Sequence, residues 1–288
     1  MYKATMAIGR FEDISRFLRF DDKRTRAFRL ETNHMAAFRY IWDQFLVNCR
    51  QQFISDCVTV DEQLVPFRGR SKFVQYMPSK PAKYGMKIFW ICDARIPYAI
   101  DGINKPDVPP LMKASRSWEV HSAEFGFNGS MTMVSYVPKK GKALVLLSTM
   151  HHDKMVDENS EKKNPEAIKF YNKTKGSVDT MDQMIRAYTC KRQTQRWPMV
   201  LWYDLLDIAT LNAYTLFTAR HPDFHTGVAS ARRLFLKELS KELVTPHMKS
   251  RLEGFPQLQT QIVEAMGRCG VTKATTQPQE RSRQGKGK

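Results

Sequence analysis

Hydrophobic residues recur at helical spacing in two stretches near the N-terminus. The first stretch predicts a short amphipathic helix over residues 10–20, and its apolar positions are Phe11, Ile14, Phe17 and Leu18. In the second stretch, residues 35–53, apolar residues recur every three or four positions, which predicts a longer helix. Residues 21–29 between them are mostly charged and are interpreted as a connector. The apolar faces of both helices are expected to pack against the next domain.

Two apolar runs predict the first strands of a sheet. Val58 to Val60 form a short β-rich run that is followed by the acidic pair Asp61 and Glu62. Residues 86–92 are apolar without alternation, which predicts a strand buried on both faces. Asp61 is expected at the end of its strand, where a sheet enzyme presents a carboxylate to its ligand. A carboxylate near arginine and lysine is also an ordinary surface feature, so both interpretations stay open.

The middle of the chain predicts further strands and a break. Residues 97–102 predict a third strand that ends in a turn, with Asp101 as a turn residue. A proline-rich break follows at residues 104–110. Residues 111–150 are rich in strand patterns, at 118–120, 131–137 and 143–149. His151, His152 and Asp153 favour a polar loop end over a metal site, because adjacent histidines point in different directions.

Two aspartates in the second half of the chain are three residues apart. If residues 178 onward are helical, Asp179 and Asp182 lie on one face, one turn apart, near the positive end of the helix dipole. Asp179 could equally be an ordinary first-turn acid or cap. Apolar residues from 185 to 214 continue as core helices, and residues 229–243 predict another amphipathic helix. The tail from residue 272 is polar and basic, which predicts disorder.

Charge is the most informative property of the composition. The chain has 288 residues, 42% of them hydrophobic, which is typical of a folded protein with a core. A net charge of +17 favours a polyanionic partner, with nucleic acid first, although a generally basic soluble surface is the alternative. The five cysteines are scattered, so neither zinc nor a disulfide framework is expected. No stretch is long and apolar enough to span a membrane, and no small-molecule cofactor motif is present.

Several sequence blocks, in order, resemble the piggyBac transposase family. They are DEQL at 61–64, FRGR at 67–70, PSKP at 78–81, KYG at 83–85, GSVDTMDQM at 176–184 and KR at 191–192 with RWP at 196–198. The resemblance runs from about residue 10 to residue 212. It implies that the chain is shortened at its N-terminus. It also implies an internal deletion, because the second aspartate motif of the family, Asp-Asn-Trp/Tyr-Phe-Thr-Ser, is absent from the sequence.

The resemblance implies an α+β or α/β fold: an incomplete RNase H-like catalytic core, interrupted by a β-rich insertion and flanked by helices. The expected segments are a helical remnant of the dimerisation and DNA-binding region, the first half of the core, the insertion, the helical second half of the core, a C-terminal helical region and a disordered basic tail. Their boundaries are 1–55, 56–106, 107–156, 157–222, 223–268 and 269–288.

The family chemistry is metal-dependent strand cleavage and transfer on DNA, in which carboxylates hold two divalent metals. The resemblance implies that Asp61, Asp179 and Asp182 are the catalytic residues and ligands of Mg²⁺, with Mn²⁺ as a substitute. The missing second aspartate implies impaired catalysis and leaves the first strand short of a neighbour. Asp107, the nearest spare carboxylate, lies in the proline-rich break and does not match the motif.

The basic residues of two segments are the candidate contacts to double-stranded DNA. They are Arg68, Arg70, Lys72, Lys80, Lys83, Lys191, Arg192 and Arg196. A solvated charged turn is an equally good interpretation of the last three. The first hypothesis is therefore a transposase-derived DNA-binding protein without strand cleavage. The alternatives are an active nuclease or transposase with a reduced carboxylate set, a non-enzymatic basic interaction protein, and the unstable product of a decayed element. A nuclear location and a possible homodimer follow from the family alone.

Overall fold

The computed structural model describes residues 1–52, 57–103, 112, 118–255 and 257–272. The chain divides into two compact units, one formed by residues 20–222 and the other by residues 1–19 and 223–288. Each unit has its own hydrophobic core. Among the helices of the described residues, none combines the length and the apolar character that crossing a membrane requires.

The described elements are as follows. The helices are α1 (Tyr2–Thr5), α2 (Ile8–Phe17), α3 (Lys23–Thr32), α4 (Arg39–Gln52), α5 (Glu166–Thr174), α6 (Ser177–Ala187), α7 (Trp197–Arg220), α8 (Ala231–Gly254) and α9 (Thr260–Gly267). The strands are β1 (Val58–Pro66), β2 (Val74–Tyr76), β3 (Tyr84–Asp93), β4 (Ala99–Ile103), β5 (Ala123–Asn128), β6 (Met131–Lys139) and β7 (Lys142–Ser148).

The first sheet is antiparallel and is built around β3. Strand β1 pairs with β3 from Val58 opposite Asp93 to Pro66 opposite Gly85. Strands β2 and β4 both pair with the other edge of β3. Within the described residues no strand pairs with the outer edge of β1. A side chain at Gly85 would place its Cβ 2.4 Å from the Val65 carbonyl oxygen, so this close pairing requires glycine.

Two expectations for this sheet are wrong. Asp61 does not end its strand: β1 continues to Pro66, and Asp61 stands mid-strand opposite Trp90. The apolar run in β3 is not buried on both faces. Trp90 is fully buried and packs 5.2 Å from Trp42 of α4, ring centroid to centroid, whereas Phe89 and Ile91 on the opposite face are only half-buried. One face of the sheet therefore carries most of the core.

Strand β4 begins and ends later than the sequence indicated, at Ala99 and Ile103. Asp101 was expected in a turn, but it pairs with Ile91 inside β4 and forms an ion pair with Arg50 at 2.6 Å. The buried Asn212 of α7 fixes the start of β4, because its side chain both accepts from the Ala99 amide and donates to the Ala99 carbonyl. The register of this strand is thus set by a helix more than a hundred residues away.

The segment interpreted as a charged connector contains helix α3. Asp22 caps this helix, since its carboxylate accepts a hydrogen bond from the Arg24 amide at 2.9 Å. No residue of α3 is buried. A helix without an apolar face has no periodic pattern of hydrophobic residues, so α3 could not be predicted from the sequence pattern.

Strands β5, β6 and β7 form a separate three-stranded antiparallel sheet. The strands predicted at 131–137 and 143–149 are therefore confirmed, whereas residues 118–120 are not in a strand. The inner face of this sheet packs on α5, where Val134 and Tyr136 form a core with Ala167 and Ile168. The predicted loop at residues 157–164 leads from this sheet to α5.

The smaller unit is helical. Its core brings together α1, α8, α9 and the chain that follows them, through Ala4, Met248, Leu252, Met266 and Val271. Helix α8 runs without interruption through Pro246 to Gly254, beyond the helix that the sequence predicted over residues 229–243. The expectation of a disordered tail from residue 269 is wrong for its first residues, because Val271 is buried in this core. Residues 273–288 lie outside the described residues.

Candidate nucleic-acid interface and carboxylate site

Asp61 lies in the middle of β1, opposite Trp90 of β3. Its carboxylate accepts a hydrogen bond from the Glu62 amide at 2.7 Å. Burial raises the pKa of Asp61, and the neighbouring charges of Glu62 and Asp179 act in the same direction, while the Glu62 hydrogen bond and Lys80 oppose it. The fold therefore brings Asp61 and Asp179 into one electrostatic environment.

Asp179 stands in the first turn of α6, so the predicted helix is present. The carboxylate is exposed and lies 3.6 Å from the Lys80 ammonium. The same ammonium donates to the Glu62 carbonyl oxygen of β1 at 3.2 Å. Lys80 therefore links α6 to β1 and provides a cation next to the acidic residues.

Asp182 is one turn further along α6 and has different partners. Its carboxylate forms an ion pair with Arg186 at 2.6 Å and accepts a hydrogen bond from the Gln63 amide nitrogen at 3.2 Å. Asp179 and Asp182 share a helix as predicted, but their carboxylates contact separate cations.

Magnesium requires several oxygen ligands directed at one point. Two of the three predicted ligands are instead neutralised by Lys80 and Arg186. Among the residues that the structure describes, no group of three or more His, Cys, Asp or Glu side chains could hold a metal ion. The arrangement of Asp61, Asp179 and Asp182 thus does not fit a bound divalent metal, and no reaction step is assigned to one. His151 contacts the Ser148 hydroxyl at 2.8 Å, in keeping with a polar loop end.

A buried polar network lies beneath α6 and was not predicted from the sequence. The Trp90 indole donates to the Gln63 side-chain oxygen at 2.7 Å. The Gln63 nitrogen donates to both Asp182 and Asp204, at 3.2 Å each. Burial raises the pKa of Asp204 to about 8, although the charge of Lys191 opposes the shift. The available signal was the pair of acidic residues, Asp204 and Asp207, within the largely apolar α7.

Tyr171 of α5 was also missed. Tyr171 is half-buried, and burial raises its pKa, with the nearby charges of Asp61, Glu62 and Asp179 adding to the effect. The tyrosine therefore faces the same acidic region from a third element. No motif or spacing marks it in the sequence.

The two predicted basic segments meet in the folded chain. The Lys191 ammonium donates to the Pro66 carbonyl oxygen at 2.7 Å, immediately before the basic loop that begins at Arg68. Phe73 after this loop packs edge-on against Trp197, with ring centroids 5.1 Å apart. Residues separated by more than a hundred positions thus form one surface, which is called the basic face below and comprises residues 68–72, 83 and 191–196.

The predicted cations on and near the basic face are not equivalent. Arg68, Arg70, Lys72, Lys83 and Arg192 are exposed, and the Arg68 guanidinium lies 5.8 Å from the centre of the Tyr84 ring. Lys80 and Lys191 bind backbone carbonyl oxygens instead. Burial lowers the pKa of Lys191. Arg196, half-buried, precedes the first turn of α7. The exposed members are the ones placed to reach a phosphate.

Comparison with known proteins gives a family match and a similar solved structure. The family model described as Transposase IS4 matches residues 1–101 and 102–214. A cryo-EM structure of the piggyBac transposase synaptic complex with hairpin DNA is similar to this chain, at 29% sequence identity and a TM-score of 0.69. The similarity covers 98% of this chain and 72% of that one. The mixed helix-and-sheet fold is therefore similar to that of a piggyBac transposase.

Proposed function

We propose that this chain, which belongs to the Transposase IS4 family, is a piggyBac-type transposase derivative that binds double-stranded DNA without cleaving it. The observation that carries the proposal is the convergence of two distant basic segments at the Lys191–Pro66 contact. Exposed cations gathered on one surface neutralise phosphates and release counterions. The net charge of +17 favours the same partner over long range.

The finer fold proposal is an RNase H-like core formed by β1, β3 and β4. Its support is the antiparallel order of these strands, with β1 at the edge of the described sheet. The strand expected to carry the second aspartate would complete this sheet beside β1. Homodimerisation and a nuclear location stay predictions of the family resemblance.

The loss of cleavage rests on two observations. The sequence lacks the second aspartate motif, and Asp179 and Asp182 are engaged by Lys80, Arg186 and Gln63. In-line displacement at phosphorus needs metal ions held between attacking and leaving oxygens. A site in which side-chain cations neutralise two of the three carboxylates does not supply that arrangement.

The second candidate is a nuclease with a reduced carboxylate set. The proximity of Asp61 and Asp179 favours it, since the charge of Asp179 contributes to the raised pKa of Asp61. For this candidate to act, Lys80 would have to leave Asp179. Cleavage measurements separate the two candidates.

Fluorescence anisotropy with labelled duplex DNA tests the proposal at several salt concentrations. We expect the logarithm of the association constant to fall linearly with the logarithm of the salt concentration. The magnitude of this slope should decrease by about one for Lys72→Gln or Arg70→Gln. Lys142→Gln, on the turn between β6 and β7, is the matched control and should leave the slope unchanged. Affinity that is independent of salt, or equal effects of all three substitutions, would contradict the proposed surface.

A further inference from the structure

Strand β3 has a gap along the edge that β2 and β4 share. Strand β2 pairs with β3 as far as Met86, and β4 pairs with β3 from Phe89 onward. Within the described residues no strand pairs with Lys87 or Ile88 on this edge. The other edge of both residues is covered by β1. The first sheet is therefore open at two positions of its central strand.

The backbone groups of Lys87 face this gap, as the hydrogen bonds at both ends of β3 show. The Met77 amide donates to the Lys83 carbonyl oxygen at 2.7 Å, just before β3. The Asp93 amide, at the end of β3, donates to the Tyr98 carbonyl oxygen at 3.0 Å. Odd-numbered residues along β3 therefore direct their N–H and C=O groups towards β2 and β4. Lys87 thus presents one donor and one acceptor, side by side, to the gap.

The residue before β2 does not fill the gap. The Phe73 amide donates to the Ser71 hydroxyl oxygen at 3.2 Å, so this donor is not available to Lys87. Backbone donors and acceptors inside a sheet cost free energy unless a protein group, water or a ligand pairs with them. The gap therefore suits a molecule that carries a matching acceptor and donor.

The two residues of the gap line a cavity of about 410 Å³ between α4 and β3. Its buried lining is apolar and includes Trp42, Leu46, Met86 and Leu201. Gly102 of β4 also lines it, and a Cβ at this position would lie 2.5 Å from the Trp42 ring. Glycine therefore allows the indole to form a wall of the cavity. A volume of this size accommodates a small apolar molecule.

The charged side chains around the cavity already have partners. Each cation among its lining residues forms an ion pair: Arg39 with Asp43 at 2.8 Å, Arg50 with Asp101 at 2.6 Å and Lys87 with Glu62 at 2.8 Å. A charged ligand would have to separate one of these pairs, whereas a neutral ligand leaves all of them intact. The cavity therefore disfavours phosphates and carboxylates, in contrast to the basic face.

We propose that this cavity binds a neutral, planar lactam. The lactam N–H donates to the Lys87 carbonyl oxygen, the lactam oxygen accepts from the Lys87 amide, and the ring system packs against Trp42. The inference does not depend on the proposed function, since it requires no nucleic acid. It assigns a ligand class to a region that lies outside both the carboxylate site and the basic face.

The test follows backbone amides of the full chain by NMR and uses 2-quinolinone, a neutral bicyclic lactam, as the probe. In the free protein the Lys87 amide should exchange with solvent faster than the amides of Gly85 and Phe89, which face β2 and β4. Adding 2-quinolinone should shift the Lys87 amide resonance and slow its exchange. The N-methyl derivative of 2-quinolinone lacks the donor and should bind about tenfold more weakly.

Two variants of α4 provide the matched comparison. Val47 is exposed at the rim of the cavity, so Val47→Phe should fill it and abolish binding of 2-quinolinone. Asn48→Phe adds the same ring at an exposed neighbouring position that does not line the cavity, and it should bind like the wild type.

Several results would overturn the inference. Slow exchange at Lys87 in the free protein would do so, because a group of the chain itself would then occupy this edge. An unshifted Lys87 amide would do so as well, as would equal binding of the lactam and its N-methyl derivative to the wild type. Equal binding by Val47→Phe and wild type would place the lactam elsewhere. Each of these results leaves the proposed DNA binding untouched.

Discussion

The Lys191 ammonium donates to the Pro66 carbonyl oxygen, 125 residues earlier in the chain, at 2.7 Å. This carbonyl belongs to the uncovered edge of β1. The Ala94 amide donates to the Cys57 carbonyl oxygen, and the Phe67 amide donates to the Tyr84 carbonyl oxygen. Odd-numbered residues along β1 therefore make the backbone hydrogen bonds with β3. Even-numbered residues therefore direct their backbone groups outward. Lys80 binds a second outward carbonyl, that of Glu62, so two lysines shield the open edge.

Replacing these two lysines should affect stability more than DNA binding. We expect Lys80→Met with Lys191→Met to lower the free energy of unfolding by about 2 kcal/mol, since two carbonyl oxygens lose donors. Urea denaturation measures this loss. In the anisotropy assay the double variant should reduce affinity less than Arg70→Met with Lys72→Met. The opposite order of affinities would show that the lysines contact phosphate.

Removing the Gln63 amide should be strongly destabilising. Gln63→Leu leaves the Trp90 indole and the Asp204 carboxylate without their partner inside the core. The expected loss is about 2–4 kcal/mol in the free energy of unfolding. Gln75→Leu in the neighbouring strand β2 is the control, because Gln75 is exposed. Similar midpoints in urea for the two variants would contradict the role of the network.

Asp204 should make stability depend on pH. Burial raises its pKa to about 8, so the folded protein holds a proton that the unfolded chain releases above about pH 4. Stability should fall as pH rises from about 4 to about 8, by at most about 1.4 kcal/mol per pH unit. Asp204→Asn should remove this slope and be the more stable form at pH 8. Asp153→Asn, in an exposed loop, should leave the slope as in the wild type.

The ion pairs of Asp21 with Arg26 and Arg29 should have the opposite pH dependence. The hydrogen bond from Arg26 holds the pKa of Asp21 below its usual value, despite an opposing effect of burial. Its stabilisation is present above about pH 4 and is lost as pH falls through the lowered pKa. Asp21→Asn should cost about 2 kcal/mol at pH 7. Asp43→Asn, which breaks the exposed pair with Arg39, should cost less than about 0.5 kcal/mol.

The sequence predicted the elements whose pattern is local. The spacing of Asp179 and Asp182 predicted a shared face on condition that the segment is helical, and α6 meets that condition. The strands over 131–137 and 143–149 follow their apolar patterns. It also identified the family through its matched blocks. The extents of β1 and β4 were missed, because pairing with β3 and the contact with Asn212 determine where they end. The partners of the carboxylates were missed for the same reason: Gln63, Lys80 and Asp204 meet only in three dimensions.

Cleavage of labelled duplex DNA in the presence of Mg²⁺ or Mn²⁺ tests the central claim most directly, when binding is measured in the same samples. We expect salt-sensitive binding and no product above background, with wild type, Asp61→Asn and Asp179→Asn giving the same result. Metal-dependent product that disappears in Asp61→Asn or Asp179→Asn would contradict this account and establish that the remaining carboxylates suffice for catalysis.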